Sequence, residues 1–293
     1  MSSTIDPAAL GSAAGRSPHY VRVSATESTK VGGYLRDVLR HRALIRVLVG
    51  RELRGAHEFN LVGFVWWLLE PLSFAAVYFT LIVVIFGNSS RAYLLTVFVA
   101  LLAYKWLVKT VTGSIGTVRN NAGLVANVFF PRAFLPIAEL TVGFAHYLVG
   151  LLIVPVFMGY YALRDQWSLS PAILWLPAVI AVQFVFMLGL AFPAAAFGIH
   201  FKNVRKLSGN LMRLWFYLSP GLWALDRLTD PTARTIARLN PLTGVFESYR
   251  RVVTLGEGPV VDLWYSLAFG VVALVLGGWV FIRKERQFGK VAI

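Results

Sequence analysis

The chain has 293 residues, 57% hydrophobic and 14% charged, with a net charge of +14 and no cysteine. A soluble domain of this length rarely reaches that apolar fraction. Several apolar runs also exceed the ~18–20 residues that cross a bilayer core of about 30 Å, so the composition excludes a soluble fold and predicts an all-α polytopic membrane protein. The missing cysteine excludes disulfides and thiolate metal sites.

Residues 1–33 are rich in Ser, Ala, Thr and Gly, which predicts a flexible cytoplasmic tail and no cleaved signal peptide. Residues 34–59 form the next unit. Leu35, Val38, Leu39, Ile45, Leu48, Val49 and Leu53 recur at helical spacing, with Arg36, Arg40, Arg42, Arg46, Arg51 and Arg54 between them. This pattern predicts an amphipathic helix in the membrane interface, its arginines toward anionic head groups.

Run one, Leu61–Phe86, carries Glu70-Pro71 about ten residues in. A carboxylate at that depth must face protein or water, and the proline removes a backbone hydrogen bond. Run two, Tyr93–Val111, contains Lys105 and Lys109, four apart and so on one helix face. Lys105 lies roughly 18 Å along the helix, and a buried lysine costs about 2.5–3.5 kcal/mol on insertion scales. Two readings stand for it: a pair with Glu70 or Glu139, or a cationic face on a path for an anionic head group.

Val118–Leu140 separates runs two and three and carries Arg119, Arg132, Asn120, Asn121 and Asn127. Its centre, Ala122–Val128, predicts a short helix across the ends of both runs, a cytoplasmic handle gripped from outside. Run three, Phe134–Leu163, includes Glu139 and His146, and run four, Ile173–Ile199, includes Pro177 and Pro193. His200–Lys206 is a second basic loop. Leu211–Leu225 is short and interrupted by Ser219-Pro220-Gly221. Asp226–Arg238 is polar, and Asn240-Pro241 opens another short segment, Leu242–Leu255. Broken backbone at membrane depth belongs to protein interiors or cavities, so this region reads as one span plus two re-entrant half-helices. Val260–Ile282 is the last span. The count is six transmembrane helices, two of the short segments being re-entrant before the last span.

Charge bias agrees with an even count. Of the 28 Lys and Arg residues, nineteen fall on the loops and termini of one side and seven on the other. That places both termini in the cytoplasm.

There is no GxxxxGK[ST], HExxH or GxSxG pattern, and the histidines are scattered. Nothing points to an enzyme, a cofactor or a metal.

Leu69-Glu70-Pro71-Leu72, Val128-Phe129-Phe130-Pro131 leading to Leu135-Pro136-Ile137-Ala138, Tyr217-Leu218-Ser219-Pro220, and Leu239-Asn240-Pro241-Leu242 followed by Tyr249-Arg250 occur in order across Tyr34–Lys290. On these pieces the chain resembles the permease subunits of type-2 ABC exporters for polysaccharides and polyol phosphates, the group that moves O-antigen, teichoic acid and related lipid-linked glycans. The resemblance implies that residues 60–293 are one type-2 ABC transmembrane domain, with a gate helix before it and a coupling helix between spans two and three. It implies a homodimer bound to two copies of a separate ABC ATPase, with no nucleic-acid partner. The implied cargo is a polyprenyl-pyrophosphate-linked polysaccharide moved outward across a bacterial inner membrane. Ala103-Tyr104-Lys105-Trp106 departs from the pattern by placing a charge beside the tryptophan.

Candidate residues follow from the cargo's chemistry. A pyrophosphate needs cations, and sugars stack on aromatic faces. Arg42, Arg46, Arg51, Arg54, Lys105 and Lys109 are candidates for the first role. Tyr78, Tyr104, Trp106, Trp215, Phe216, Tyr217 and Trp223 are candidates for the second, the alternative for each being packing or a lipid-facing belt. Arg119, Asn120, Asn121, Leu124, Val125, Asn127, Lys202 and Arg205 are candidates for coupling to the ATPase. Competing functions are a drug or small-lipid exporter of the same superfamily, a proton-coupled secondary transporter using Glu70, Glu139 and His146, and a membrane enzyme acting on lipid-linked sugars.

Overall fold

A computed structural model describes residues 42–56, 61–85, 87, 92–127, 130–200 and 204–291. The tail 1–33, residues 34–41 of the expected interface helix, and Lys202 lie outside the described residues. Among the described residues every regular element is helical.

The basic amphipathic segment is helix α1, Arg42–Ala56, which packs on α5 through Leu44, Ile45, Leu48 and Val49. Run one is α2, Leu61–Phe79, continued by a π-helical turn over Thr80–Ile85. Pro71 sits inside it without ending it. The Ser73 hydroxyl bonds the Leu69 carbonyl, and Thr80 bonds that of Ala76, as membrane helices with broken ladders commonly do.

Run two is the first part of a longer helix, α3, Tyr93–Asn120. Its 28 residues reach about 42 Å, beyond the hydrocarbon core. No proline or carboxylate interrupts Val111–Asn120, so the ladder runs on. It stops at Asn121, whose side-chain amide donates to the Thr117 carbonyl at 2.8 Å. The short α4, Ala122–Asn127, follows.

Run three is two helices, α5 (Phe134–Leu151) and α6 (Val154–Ala162). Pro155 has no N–H to continue the ladder, and the joint instead bonds Leu152 to Val149 and Ile153 to Gly150. Run four is α7, Leu176–His200, entered through a 3-10 turn over Pro171–Trp175.

The region read as broken is where expectation and structure part most. α8 runs Val204–Tyr217, starting inside the expected basic loop and ending before Leu218, whereas the expected segment was Leu211–Leu225. Its exposed leucines, Leu207, Leu211 and Leu214, recur every three or four residues, so the segment is amphipathic rather than uniformly apolar. The polar stretch contains a helix, α9, Pro231–Leu239, capped by Asp230 bonds to the Thr232 and Ala233 N–H groups. The second short segment is α10, Thr243–Arg250, with a π turn to Leu255 and a left-handed Gly256 at its end. α11, Asp262–Val291, completes the chain.

Among the described residues, four helical stretches are long and apolar enough to cross a membrane: Tyr93–Asn120, Phe134–Ala162, Pro171–Ile199 and Asp262–Glu285. The protein is therefore a multi-pass membrane protein. α3 lies at the centre, packed by α2, α5, α7 and α8, while α7 and α11 pack along their lengths. Their seam uses small residues, as lipid-embedded helices do when backbone approach replaces the hydrophobic drive. A methyl on Gly189 would sit 2.4 Å from the Gly270 carbonyl oxygen.

Two of the motifs that carry the family resemblance meet in space. The Asn240 amide donates to the Ser219 hydroxyl at 2.8 Å and accepts from the Trp215 indole at 2.9 Å. Ser219 in turn donates to the Trp215 carbonyl. The turn after α8 and the turn before α10 are thereby one hydrogen-bonded joint.

Candidate functional site

α2, α3, α5 and α8 enclose a cavity of about 520 Å³. α3 supplies Leu101, Tyr104, Lys105, Val108, Lys109 and Thr112, a single helical face. α2 supplies Glu70, Phe74 and Tyr78, α5 supplies His146, and α8 supplies Gly209, Arg213, Phe216 and Tyr217.

The lysines divide the carboxylates between them. Lys105 pairs with Glu70 across the α2–α3 contact. Lys109 lies 3.7 Å from Glu52 of α1 and 3.9 Å from Glu139 of α5. Lys105 is thus paired, as one of its two readings expects, and it also lines the cavity. Arg213 donates to the Tyr104 hydroxyl and, among the described residues, has no carboxylate within ion-pair distance. Sequence reasoning does not single out Arg213, which lines the cavity wall. It went unnoticed because loop charge bias does not report which cations face inward.

The aromatic candidates fall into two groups. Tyr78, Tyr104, Phe216 and Tyr217 line the cavity. The Tyr78 and Tyr217 hydroxyls bond at 3.2 Å, joining α2 to α8, and Tyr104 stacks on Phe216 at 4.2 Å. Trp106 also borders the cavity but is only 2% exposed. Its indole donates to the Leu140 carbonyl, and its ring packs with Phe144, Tyr147 and Phe184, so it holds α3 to α5. Trp215 and Trp223 stand outside the lining: Trp215 bonds Asn240 and Trp223 bonds the Tyr217 carbonyl.

At the end of the bundle that carries α1 and α4, the arginines tie elements together. Arg46 is exposed on α1, while Arg51 donates to the Asn121 side chain, linking α1 to the α3–α4 turn. Arg119 donates to the Ile199 carbonyl at 2.6 Å and so caps α7. The Arg132 backbone N–H bonds Glu285 at 2.8 Å, a tie to α11 that sequence spacing does not reveal. Val125 is buried with Phe134, Leu135 and Phe281, and Leu124 packs on the same cluster. Asn120, Gly123 and Ala126, three apart, face outward. Arg205 is exposed beside Gly116. Arg42, Arg54 and Asn127 lie in described helices, but their side chains are outside the described residues.

At the opposite end the buried Glu247 bonds Arg250, which also reaches Asp226 at 2.7 Å. Among the described residues no group of three His, Asp or Glu side chains is placed to hold a metal.

No protein-family model matches the chain. It is 27% identical over 259 residues to the O-antigen export system permease protein RfbA of Myxococcus xanthus, covering 87% of this chain and 98% of the relative. It is 22% and 23% identical to two proteins of the same name from Klebsiella pneumoniae, each covering 88% of this chain and 96% of the relative. The likeness covers most of the chain rather than one motif, and with it the chain's resemblance to the permease subunits of type-2 ABC exporters holds across most of its length.

Proposed function

We propose that the chain is the membrane subunit of an ABC exporter that moves a polyprenyl-pyrophosphate-linked polysaccharide, of the O-antigen kind, from the cytoplasmic to the outer face of a bacterial inner membrane. Two copies of the chain work with two copies of a separate ATPase. α2 and α8 complete six spans, and α9 and α10, at nine and eight residues too short to cross, are the two re-entrant elements. The arginine-rich end faces the cytoplasm, as basic loops do.

The observation that carries this reading is one cavity holding both cations and tyrosine faces. Lys105, Lys109 and Arg213 suit an anionic phosphate group, and Tyr78, Tyr104 and Tyr217 suit the C–H faces of sugars. The polyprenyl tail can remain in lipid. Coupling runs through α4, whose buried Val125 transmits movement of its outward face to α5 and α11.

The test is depletion of the chain in cells followed by analysis of inner-leaflet lipids. A lipid-linked glycan should accumulate on the cytoplasmic side, and the purified chain with its ATPase should restore ATP-dependent movement in vesicles. Transport by the purified chain with no ATPase present would overturn the reading.

A further inference from the structure

Three cations line the cavity, but they are not equivalent. Lys105 is matched by Glu70, and Lys109 is shared between Glu52 and Glu139. An anion approaching either lysine must compete with a carboxylate already in place. Arg213 faces the same cavity from α8 with no carboxylate beside it among the described residues. Its polar partner among the described residues, the Tyr104 hydroxyl, is neutral, and a single such acceptor leaves other guanidinium N–H donors for a ligand. Tyr104 is itself fixed by stacking on the buried Phe216, which sets where the guanidinium aims.

We propose that Arg213, aimed by Tyr104, is the residue that selects the anionic head group of the cargo, and that Lys105 and Lys109 act as internal counter-charges to Glu70, Glu52 and Glu139. This rests on the exporter reading above and names the group within it that distinguishes a phosphorylated prenyl lipid from a neutral one. A planar guanidinium matches two phosphate oxygens at once, which an ammonium does not.

The test uses the full chain in phosphatidylcholine nanodiscs, titrated calorimetrically with geranylgeranyl pyrophosphate and with geranylgeraniol. The unaltered protein should bind the pyrophosphate about 10-fold or more tightly than the alcohol, the worth of a charge-assisted hydrogen bond or two. Arg213→Gln should bring the two within about 2-fold, Arg213→Lys should keep part of the preference, and Arg164→Gln, at a cation remote from the cavity, should keep all of it. Tyr104→Phe, which leaves the charge but frees its aim, should lose about 3-fold and serves if Arg213→Gln does not assemble. A preference that Arg213→Gln, or Tyr104→Phe in its place, leaves undiminished overturns the assignment alone. Equal binding of both lipids by the unaltered protein overturns the head-group reading itself, and the assignment with it.

Discussion

The ammonium of Lys105 and the carboxylate of Glu70 meet across α2 and α3 on the wall of the cavity. Neither charge is comfortable alone at this depth, because either would stand in an apolar wall without its counter-ion. Lys105→Ala is expected to lower export severalfold without preventing membrane insertion. The double variant with Glu70→Ala should recover part of that loss, with a coupling of about 1 kcal/mol in thermal stability, since both side chains keep some solvent access. Strictly additive effects in a double-mutant cycle would count against the pair.

α4 predicts a separation between coupling and folding. Val125 is buried and anchors the helix, while Asn120, Gly123 and Ala126 present a flat, small-residue outward face. Ala126→Trp should therefore leave the melting temperature of the purified permease unchanged and abolish transport-stimulated ATP hydrolysis. A proline at Val125 should damage both, because it removes the Val125–Asn121 backbone bond of 2.9 Å. Arg119→Glu should also uncouple, since a carboxylate would face the Ile199 carbonyl that the guanidinium now caps. If Ala126→Trp retains normal ATP-driven transport in vesicles, the gripping surface lies elsewhere.

Hydropathy was enough to find α3, α5, α7 and α11, because a long apolar run has few other uses. It was not enough for α8, where leucines alternate with Arg205, Lys206, Asn210 and Arg213 and the mean signal of a span disappears. α9 did carry a local sign, Asp230 followed by Pro231, which marks a helix start whatever the polarity that follows. The break at Leu152–Ile153 was masked because hydropathy is blind to the N–H that Pro155 lacks. The sharing of a cavity face by Lys105 and Lys109 followed from their spacing, whereas Arg213 on the wall and Glu52 beside Lys109 arrive from elements distant in sequence. The meeting of Ser219 with Asn240 is likewise invisible to spacing, yet it gives two of the recurring motifs a common structural purpose.

Helix crossings at glycine give a sharper test of the packing. A methyl on Gly198 would lie 1.9 Å from the Ile115 carbonyl oxygen, a backbone atom that cannot turn aside. Gly198→Ala must push α7 off α3 and is expected to cost about 2–3 kcal/mol, in line with overpacking. Gly159→Ala on α6 meets nothing within 4 Å and should be neutral or stabilising by up to about 1 kcal/mol through helix propensity. Thermal unfolding of the two variants in the same detergent reads the difference, and equal midpoints would refute the close α3–α7 crossing.

The buried polar chain at the bundle centre supplies the last prediction. Gln183 of α7 donates to the Ala103 carbonyl at 2.9 Å, Tyr249 of α10 donates to Gln183 at 2.6 Å, and Tyr147 of α5 bonds Tyr249 at 3.2 Å. Four helices are thus joined through three side chains inside an otherwise apolar core. Tyr249→Phe keeps the ring but leaves the Gln183 carbonyl oxygen and the Tyr147 hydroxyl without this partner. Inter-helix hydrogen bonds in membranes average about 0.6 kcal/mol, but leaving buried polar atoms unsatisfied costs about 1–3 kcal/mol. The expected loss is therefore about 1–2 kcal/mol. Adding Gln183→Leu and Tyr147→Phe to Tyr249→Phe should cost less than the sum of the three single changes, because the unsatisfied atoms disappear together. Additive losses across that series would mean that the three groups are satisfied independently and that α10 is held to the core by packing alone.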